Sequence, residues 1–300
     1  MDRFVFFLIL VTLFTGCIRE EQRPLKVETA HIIYGKNDIL DHHQVRSKKI
    51  RHMGRSVAIQ VPNYKLRQEG SEYFINEEYL EDLNICSHQD DFHEKLAHQP
   101  ALGTCTGFLI DKQTILTASH CVETAEECRE SLWVFNFKSD PHNLAPTSFD
   151  EDNIYRCAEI DNQNQQLDYA FLKLDRPVYG RTPLKFRKRG KIPSHSRLVV
   201  IGYPQGLPLK FSTNAKVRSN QNQTHFVINS DTFEGNSGSP VINTKNNLVE
   251  GILVRGGKDF DVDEKSENLC YVIKKCPENQ CVGEEILRIK SIFQEEVQKD

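Results

Sequence analysis

Hydrophobic residues in this chain fall into short runs, and each run is bounded by polar residues or by Gly, Pro, Asn and Asp. Runs of this kind are typical of β-strands. They predict strands at 56–61, 107–110, 115–118, 132–137, 170–174, 198–202, 225–228, 240–242, 248–254 and 269–273. The sequence therefore predicts an all-β protein, in which the stretch from Pro177 to Pro183 connects two halves.

One segment near the end of the chain has a different period. From Glu284 to Val297 the apolar residues recur at helical spacing. We therefore expect an amphipathic helix over 283–298 that packs on the second half, and we assign it no further function.

The first residues predict export. Arg3 precedes an apolar run over 4–14, which is too short to span a bilayer as a stable helix and is typical of a signal peptide. The run leads into Leu-Phe-Thr-Gly-Cys, which resembles a bacterial lipobox, although Phe14 stands where an aliphatic residue is usual. We expect a signal peptide over 1–16, a lipidated Cys17 and a polar tether over 17–29. The protein would then lie in the bacterial periplasm or at the outer membrane; a plain secretory signal and a secreted protein are the alternative.

Composition limits the other possibilities. A chain of 300 residues that is 38% hydrophobic can bury a sizeable core. The net charge of −4 gives no indication of a nucleic-acid partner, and the basic run at 185–191 is typical of a solvated face. His88, His93 and His98 match no metal-ligand spacing. We expect no metal, no cofactor, a monomer, and membrane contact through the N-terminal lipid only.

The candidate chemistry begins with the segment Gly-Asn-Ser-Gly-Ser-Pro at 235–240. A serine hydroxyl is a poor nucleophile unless a base accepts its proton and amide donors receive the oxyanion. Gly235 and Gly238 allow a tight turn in which the amides of Gly235 and Ser237 point into one hole. An ordinary polar turn is the alternative interpretation of this segment alone.

Two further segments supply the partners that such a serine needs. His120 follows the predicted strand at 115–118, and Asp168 begins the alternating apolar run that continues to Leu174. Alone, either residue is more typical of a structural role. Together the segments place His, Asp and Ser, in this order, at the ends of apolar strands.

These three segments resemble the signatures of chymotrypsin-fold serine peptidases. The Gly-Asn-Ser-Gly-Ser-Pro form is more similar to the bacterial glutamyl-endopeptidase branch than to animal trypsins, and the segments at 31–35, 200–209 and 251–256 fit the same branch. The resemblance covers 30–298. It implies two antiparallel six-stranded β-barrels and a C-terminal α-helix, with the first barrel at 30–178, the second at 179–282 and the helix at 283–298.

The resemblance also implies a role for each residue. His120 would act as general base toward Ser237 and then as general acid toward the leaving amine, and Asp168 would hold the imidazole tautomer. The amides of Gly235 and Ser237 would form the oxyanion hole. Proteins or peptides would be the substrates.

The cysteine count agrees with an exported protein. Nine cysteines are present, and assigning Cys17 to lipid leaves eight, an even number that indicates disulfide bonds. By the resemblance, Cys105 and Cys121 form a disulfide that brackets the histidine and contributes about 3 kcal/mol. The pairing of the other six stays open: Cys86, Cys128, Cys157, Cys270, Cys276 and Cys281.

Activation is predicted from the residue before the serine. Animal trypsin-like enzymes carry an Asp there, which pairs with a newly cut N-terminus. This chain has Asn236, which cannot form that ion pair, so we expect activity without this switch.

Specificity depends on three candidate residues of the S1 pocket. Asp231 stands where trypsin-like enzymes have an acidic pocket floor, and it favours Arg or Lys at P1. Arg255 and Gly256 occupy the wall and the mouth, and Arg255 would either neutralise Asp231 or point to solvent. The glutamyl-endopeptidase branch prefers Glu or Asp, which is the alternative.

A rival function is an envelope lipoprotein that uses a catalytically silent peptidase fold to bind a partner. Such proteins usually lose one member of the triad. Because His120, Asp168 and Ser237 are all present, the sequence favours an enzyme, a serine endopeptidase.

Overall fold

The computed structural model describes residues 33–77, 85–86, 99–142, 144–263, 270–277 and 280–297. The predicted signal peptide, Cys17, the tether, and His88, His93 and His98 lie outside these residues. Within the described ranges, no helix is long and apolar enough to cross a membrane.

Strands dominate the described part of the chain. In the N-terminal half they are β1 (Ile33–Tyr34), β2 (Ile39–Asp41), β3 (Val57–Pro62), β4 (Leu66–Glu69), β5 (Glu72–Ile75), β6 (Cys105–Leu109), β7 (Thr114–Thr117), β8 (Ser131–Phe135), β9 (Ser148–Asp150), β10 (Ile154–Asn164) and β11 (Tyr169–Leu174). In the C-terminal half they are β12 (Arg197–Gly202), β13 (Lys210–Ser219), β14 (His225–Asn229), β15 (Pro240–Asn243), β16 (Leu248–Arg255), β17 (Phe260–Asp263), β18 (Cys270–Ile273), β19 (Lys275–Cys276) and β20 (Glu284–Arg288). The helices are α1 (Lys48–Met53), α2 (Ala125–Glu130) and α3 (Ile289–Val297).

The first barrel is a closed antiparallel sheet with the strand order β10–β11–β7–β6–β3–β8. Every residue of β6, β7 and β8 is buried, which explains why these strands appear in the sequence as short continuous apolar runs. Ile59, Phe108 and Trp133 are fully buried in its core. Removal of this much apolar surface from water is the main force that holds the barrel closed.

The second barrel has the strand order β12–β15–β16–β20–β14–β13 and closes where β13 pairs with β12. β2 adds to the edge of β13. Val200, Phe226, Val241, Leu253 and Ile286 form a core of their own. The predicted fold class, two antiparallel six-stranded barrels with a C-terminal helix, is confirmed.

The predicted helix over 283–298 begins later than expected. Its first residues form β20, which pairs with β14 on one side and β16 on the other and so completes the second barrel. Only Ile289–Val297 is helical. Helical spacing of apolar residues did not predict this boundary because pairing with two neighbouring strands outweighs local periodicity.

Two further segments differ from the predicted division of the chain. β18, predicted as a strand of the second barrel, pairs with β17 in a separate two-stranded sheet and bridges to Ile85 through Tyr271, because β20 takes the place beside β16. β2 lies within the range expected for the first barrel, yet it pairs with β13 of the second. The long strands β10 and β13 were not predicted, because their many polar residues dilute the apolar pattern.

Candidate active site

The loop between β14 and β15 carries Ser237. Two glycines give it its shape: Gly235 has φ +91° and Gly238 has φ +82°, which is backbone that L side chains rarely adopt. A Cβ on Gly235 would lie 2.4 Å from the Tyr203 carbonyl oxygen, and one on Gly238 would lie 2.1 Å from the Thr106 carbonyl oxygen. The turn around Ser237 therefore requires glycine at both positions.

His120 and Asp168 come from the first barrel. His120 lies on a single 3-10 turn that follows β7, and Asp168 lies immediately before β11, which pairs with β7. Asp168 has φ +66°, an uncommon value for a residue with a side chain. Its amide donates to the Asn164 carbonyl at 2.8 Å, which closes the tight turn between β10 and β11.

The structure brings the three predicted residues together in one hydrogen-bonded series. His120 Nδ1 donates to Asp168 Oδ2 at 2.8 Å, and the His120 amide donates to Asp168 Oδ1 at 3.1 Å. His120 Nε2 lies 2.8 Å from Ser237 Oγ. Because Asp168 fixes Nδ1 as the protonated nitrogen, Nε2 is left to accept the serine proton.

Asp168 is held as a carboxylate. Burial works to raise its pKa, but the hydrogen bond and electrostatic attraction of the His120 ring, the His120 amide and the charge of Arg255 together bring the pKa below its ordinary value. An ionised Asp168 stabilises the imidazolium that forms when His120 accepts a proton.

The amides of Gly235 and Ser237 lie on the same turn as the nucleophile candidate. In the described part of the chain, neither amide donates to a protein acceptor. The Gly235 carbonyl accepts from Thr106 Oγ1 at 2.7 Å, which fixes the orientation of the following peptide. The two amides are therefore available as donors for an oxyanion.

Thr106 is a residue that the sequence did not single out. Its hydroxyl donates to the Gly235 carbonyl and accepts from the Tyr203 amide at 3.1 Å, and its own amide donates to the Ser237 carbonyl at 2.9 Å. Thr106 lies on β6 of the first barrel, whereas the other three residues belong to the second. It therefore joins the two barrels next to Ser237. No pattern in the sequence predicts this role, because the contacts of Thr106 are with residues far away in the chain.

Asn236 is almost fully buried, and its Oδ1 accepts a long hydrogen bond of 3.4 Å from Ser239 Oγ. Its Nδ2 has no hydrogen-bond partner among the described residues. The N-terminal segment does reach this part of the molecule, but it contacts a different residue, Asp231.

The three S1 candidates are placed as follows. Asp231 is buried, and its two carboxylate oxygens accept from the amides of Tyr34 at 2.7 Å and Asp38 at 3.0 Å. Arg255 is exposed and pairs with Glu285 at 3.1 Å, so it does not neutralise Asp231. Gly256, half-buried, directly follows β16. Asp231 thus anchors the N-terminal segment. The sequence does not predict this contact, because its partners are far apart in the chain.

Asp231 has an unusual protonation equilibrium. Burial raises its pKa to about 7, and the neighbouring Asp38 and Glu284 carboxyls act in the same direction, whereas the amides of Asp38 and Tyr34 oppose the shift. The adjacent Thr232 donates to Glu284, a second fully buried acid. Carboxyl groups from three distant parts of the chain, Asp38, Asp231 and Glu284, therefore influence one another here.

Disulfide bonds brace the site and the loops around it. Cys105 and Cys121 are bonded to each other, which joins β6 to the turn that carries His120. The other pairs, which the sequence left open, are Cys86–Cys270, Cys128–Cys157 and Cys276–Cys281.

Residues 105–252 match a family model described as the trypsin-like peptidase domain. Over this region the chain is similar to trypsin-like peptidases. The matched range contains His120, Asp168 and Ser237, and together with the double barrel it supports a chymotrypsin-fold serine peptidase.

Two solved structures show a more distant similarity. An inactive-form mutant of Rv3671c from M. tuberculosis H37Rv is 14% identical, with 89% of this chain and 96% of that chain covered and a TM-score of 0.46. The Rv3671c protease in an inactive form is 15% identical, with 89% and 98% covered and a TM-score of 0.48. Because both TM-scores are low, these likenesses carry no weight for the function of this chain.

Proposed function

We propose that this protein is a serine endopeptidase that hydrolyses peptide bonds of proteins through an acyl-enzyme on Ser237. The observation that carries the proposal is the contact of 2.8 Å between His120 Nε2 and Ser237 Oγ, with Asp168 on the other ring nitrogen. A base within hydrogen-bond reach of a hydroxyl, and itself oriented by a third group, is the arrangement that nucleophilic catalysis requires.

The proposed reaction proceeds in two halves. Ser237 Oγ attacks the scissile carbonyl carbon while its proton passes to His120 Nε2, and the oxyanion accepts from the amides of Gly235 and Ser237. The C–N bond then breaks as His120 returns the proton to the leaving amine. Water, deprotonated by His120, attacks the acyl-enzyme and releases the second product and the free serine.

We further propose that the enzyme prefers Arg or Lys at P1. Support comes from buried Asp231, which stands shortly before Ser237 in the sequence, from the buried acid Glu284 that acts on it, and from the pairing of Arg255 with Glu285 instead of Asp231. Because the Asp231 oxygens already accept two amides, the preference would arise from the combined negative potential more than from one direct ion pair. Acidic P1 residues, as in the glutamyl-endopeptidase branch, are the competing class.

We propose a location at the bacterial envelope from the signal-peptide pattern at the start of the sequence. A lipid on Cys17 would hold the peptidase at the bacterial envelope, where disulfide bonds form and persist. Fractionation of cells that produce the wild type or Cys17→Ser tests this point. We expect the wild type in the membrane fraction and the variant in the soluble exported fraction; equal partition of both would contradict lipidation.

The proposed activity is tested with a peptide library that varies P1, using the disulfide-intact protein, Ser237→Ala and His120→Ala. We expect cleavage after Arg and Lys that both substitutions abolish. Cleavage after Glu or Asp would keep the peptidase and reject the basic preference. Absence of cleavage across the library would favour the rival, a catalytically silent envelope protein that binds a partner.

A further inference from the structure

A cavity of about 430 Å³ shares no residue with the His–Asp–Ser cluster. We call it the basic cavity, and define it by Lys48, Arg51, Arg55 and Lys138, which line it together with two histidines and an asparagine. Among the residues that the structure describes, no acidic side chain lines it. The charge of its lining is positive, whereas the protein as a whole has a net charge of −4.

Local structure collects these charges on one side. Lys48 and Arg51 are three residues apart on α1, and Arg55 follows one helical turn later, in the 3-10 turn that continues α1. Residues at this spacing lie on one face of a helix. Lys138 comes from the segment after β8 and completes the cavity from the first barrel.

The four basic side chains lack acidic partners within the described ranges. Across the described residues, none of the four forms an ion pair with a carboxylate. Arg51 and Arg55 donate instead to the carbonyls of Val45 and Gly180. The sequence explains this shortage of acids, because no Asp or Glu occurs anywhere between Asp41 and Glu69.

Keeping these charges together is unfavourable for the protein alone. Burial lowers the pKa of Lys138, and the charges of Arg55, Arg181 and Arg51 lower it further. The pKa of His42, which also lines the cavity, falls to about 4 through burial and the charges of Lys138, Arg51 and His43. Each shift means that the positive form is disfavoured here, a cost that an anion would offset.

We propose that the basic cavity binds a small, multiply charged, phosphate-bearing ligand. Two guanidinium groups can each donate in parallel to two phosphate oxygens, and two ammonium groups add compact positive charge. The volume lies in the usual range of small-molecule sites, roughly 300–1,000 Å³. The phosphate could belong to a free oligophosphate or to a lipid headgroup, and the proposal is independent of the proposed peptidase activity.

The test is calorimetric titration of the purified, disulfide-intact protein with inorganic tripolyphosphate at low ionic strength. We expect saturable binding that Arg51→Gln combined with Lys138→Gln weakens at least tenfold. The matched control is Arg189→Gln with Lys245→Gln, which removes the same charge from exposed positions outside the cavity and should bind like the wild type. Equal loss in both double variants would show general charge attraction and overturn the proposal.

A measurement of stability distinguishes loss of ligand binding from loss of folding in the variants. Without ligand, Lys138→Gln should be at least as resistant to urea as the wild type, because it relieves repulsion. Tripolyphosphate should stabilise the wild type more than this variant. A parallel flotation assay uses vesicles of phosphatidylcholine with and without phosphatidic acid. Binding to the acidic vesicles that tripolyphosphate prevents would identify a headgroup, whereas tripolyphosphate binding alone would identify a free ligand. No binding of either probe would refute the site.

Discussion

At the scale of residues, the candidate site rests on backbone positions that few side chains tolerate. Gly235 and Gly238 need positive φ and close backbone approach, and Asp168 occupies positive φ although it is not glycine. Such conformations are costly and persist where the surroundings enforce them. At Asp168 the surroundings include the His120 ring and amide, so the strained residue and the proposed catalytic residue are the same.

The first prediction concerns the orientation of His120. Asp168→Asn should lower kcat about 10⁴-fold, because the new amide group would donate to Nδ1 and force the wrong imidazole tautomer. Asp161→Asn, at an exposed position on β10, is the control and should retain full activity. Steady-state kinetics on the best peptide measures both. A loss of less than tenfold in Asp168→Asn would contradict the proposed role.

The second prediction follows from the pKa of Asp231, which is about 7 in the folded protein against an ordinary value of 3.8. Because the folded state binds the proton more tightly than the unfolded state, this group makes the protein less stable as pH rises from about 4 to about 7. The full effect is on the order of 4 kcal/mol.

Asp231→Asn removes this titration. The free energy of unfolding, measured with urea in steps from about pH 4 to about pH 8, should therefore fall more steeply in the wild type than in the variant. The quantity to follow is the difference in the free energy of unfolding between the two proteins, and how this difference changes with pH. Its absolute value is not used, because Asn also removes one acceptor for the N-terminal segment. Parallel pH profiles would disprove the raised pKa.

At the scale of elements, the site depends on contacts between the two barrels, and Thr106 on β6 carries several of them. Thr106→Val keeps the shape of the side chain but leaves the Gly235 carbonyl and the Tyr203 amide without this partner. We expect a loss of about 1–3 kcal/mol in the free energy of unfolding.

The same substitution should also lower kcat, with little change in KM, because the turn that orients Ser237 and the Gly235 amide is no longer fixed. Thr106→Ser restores the hydroxyl and should recover most of both losses. If Thr106→Val and Thr106→Ser behave alike, the hydroxyl has no positioning role. Urea unfolding and peptide kinetics on the same samples separate the two effects.

The elements also show what could be predicted from the sequence. Apolar runs located the buried strands, and short motifs located His120, Asp168 and Ser237, because both signals are local. The prediction of helix for β20 was wrong because its apolar residues fit both the helical and the strand period. Pairing with its two neighbouring strands makes it a strand. The partners of Asp231 are close to 200 positions away in sequence, with separations of 197 and 193, and no local pattern reports them.

At the scale of the whole molecule, the described residues contain four disulfides, whose sequence separations differ widely. Cys86–Cys270 spans 184 positions, whereas Cys276–Cys281 spans five. By loop-closure entropy, replacing both cysteines of the longer pair with serine should cost about 5 kcal/mol, and of the shorter pair about 2 kcal/mol. Thermal unfolding of the two double variants tests this order, and a reversed order would show that local packing outweighs chain entropy.

The central claim is that His120 activates Ser237 as a nucleophile. Its most direct test is reaction of the folded, disulfide-intact protein with a fluorophosphonate, followed by mass spectrometry of the digested product. The account predicts one adduct, on Ser237, which forms at least 100-fold more slowly in His120→Ala and is absent from Ser237→Ala. No adduct in the folded wild type, or an equal rate of labelling without His120, would contradict it.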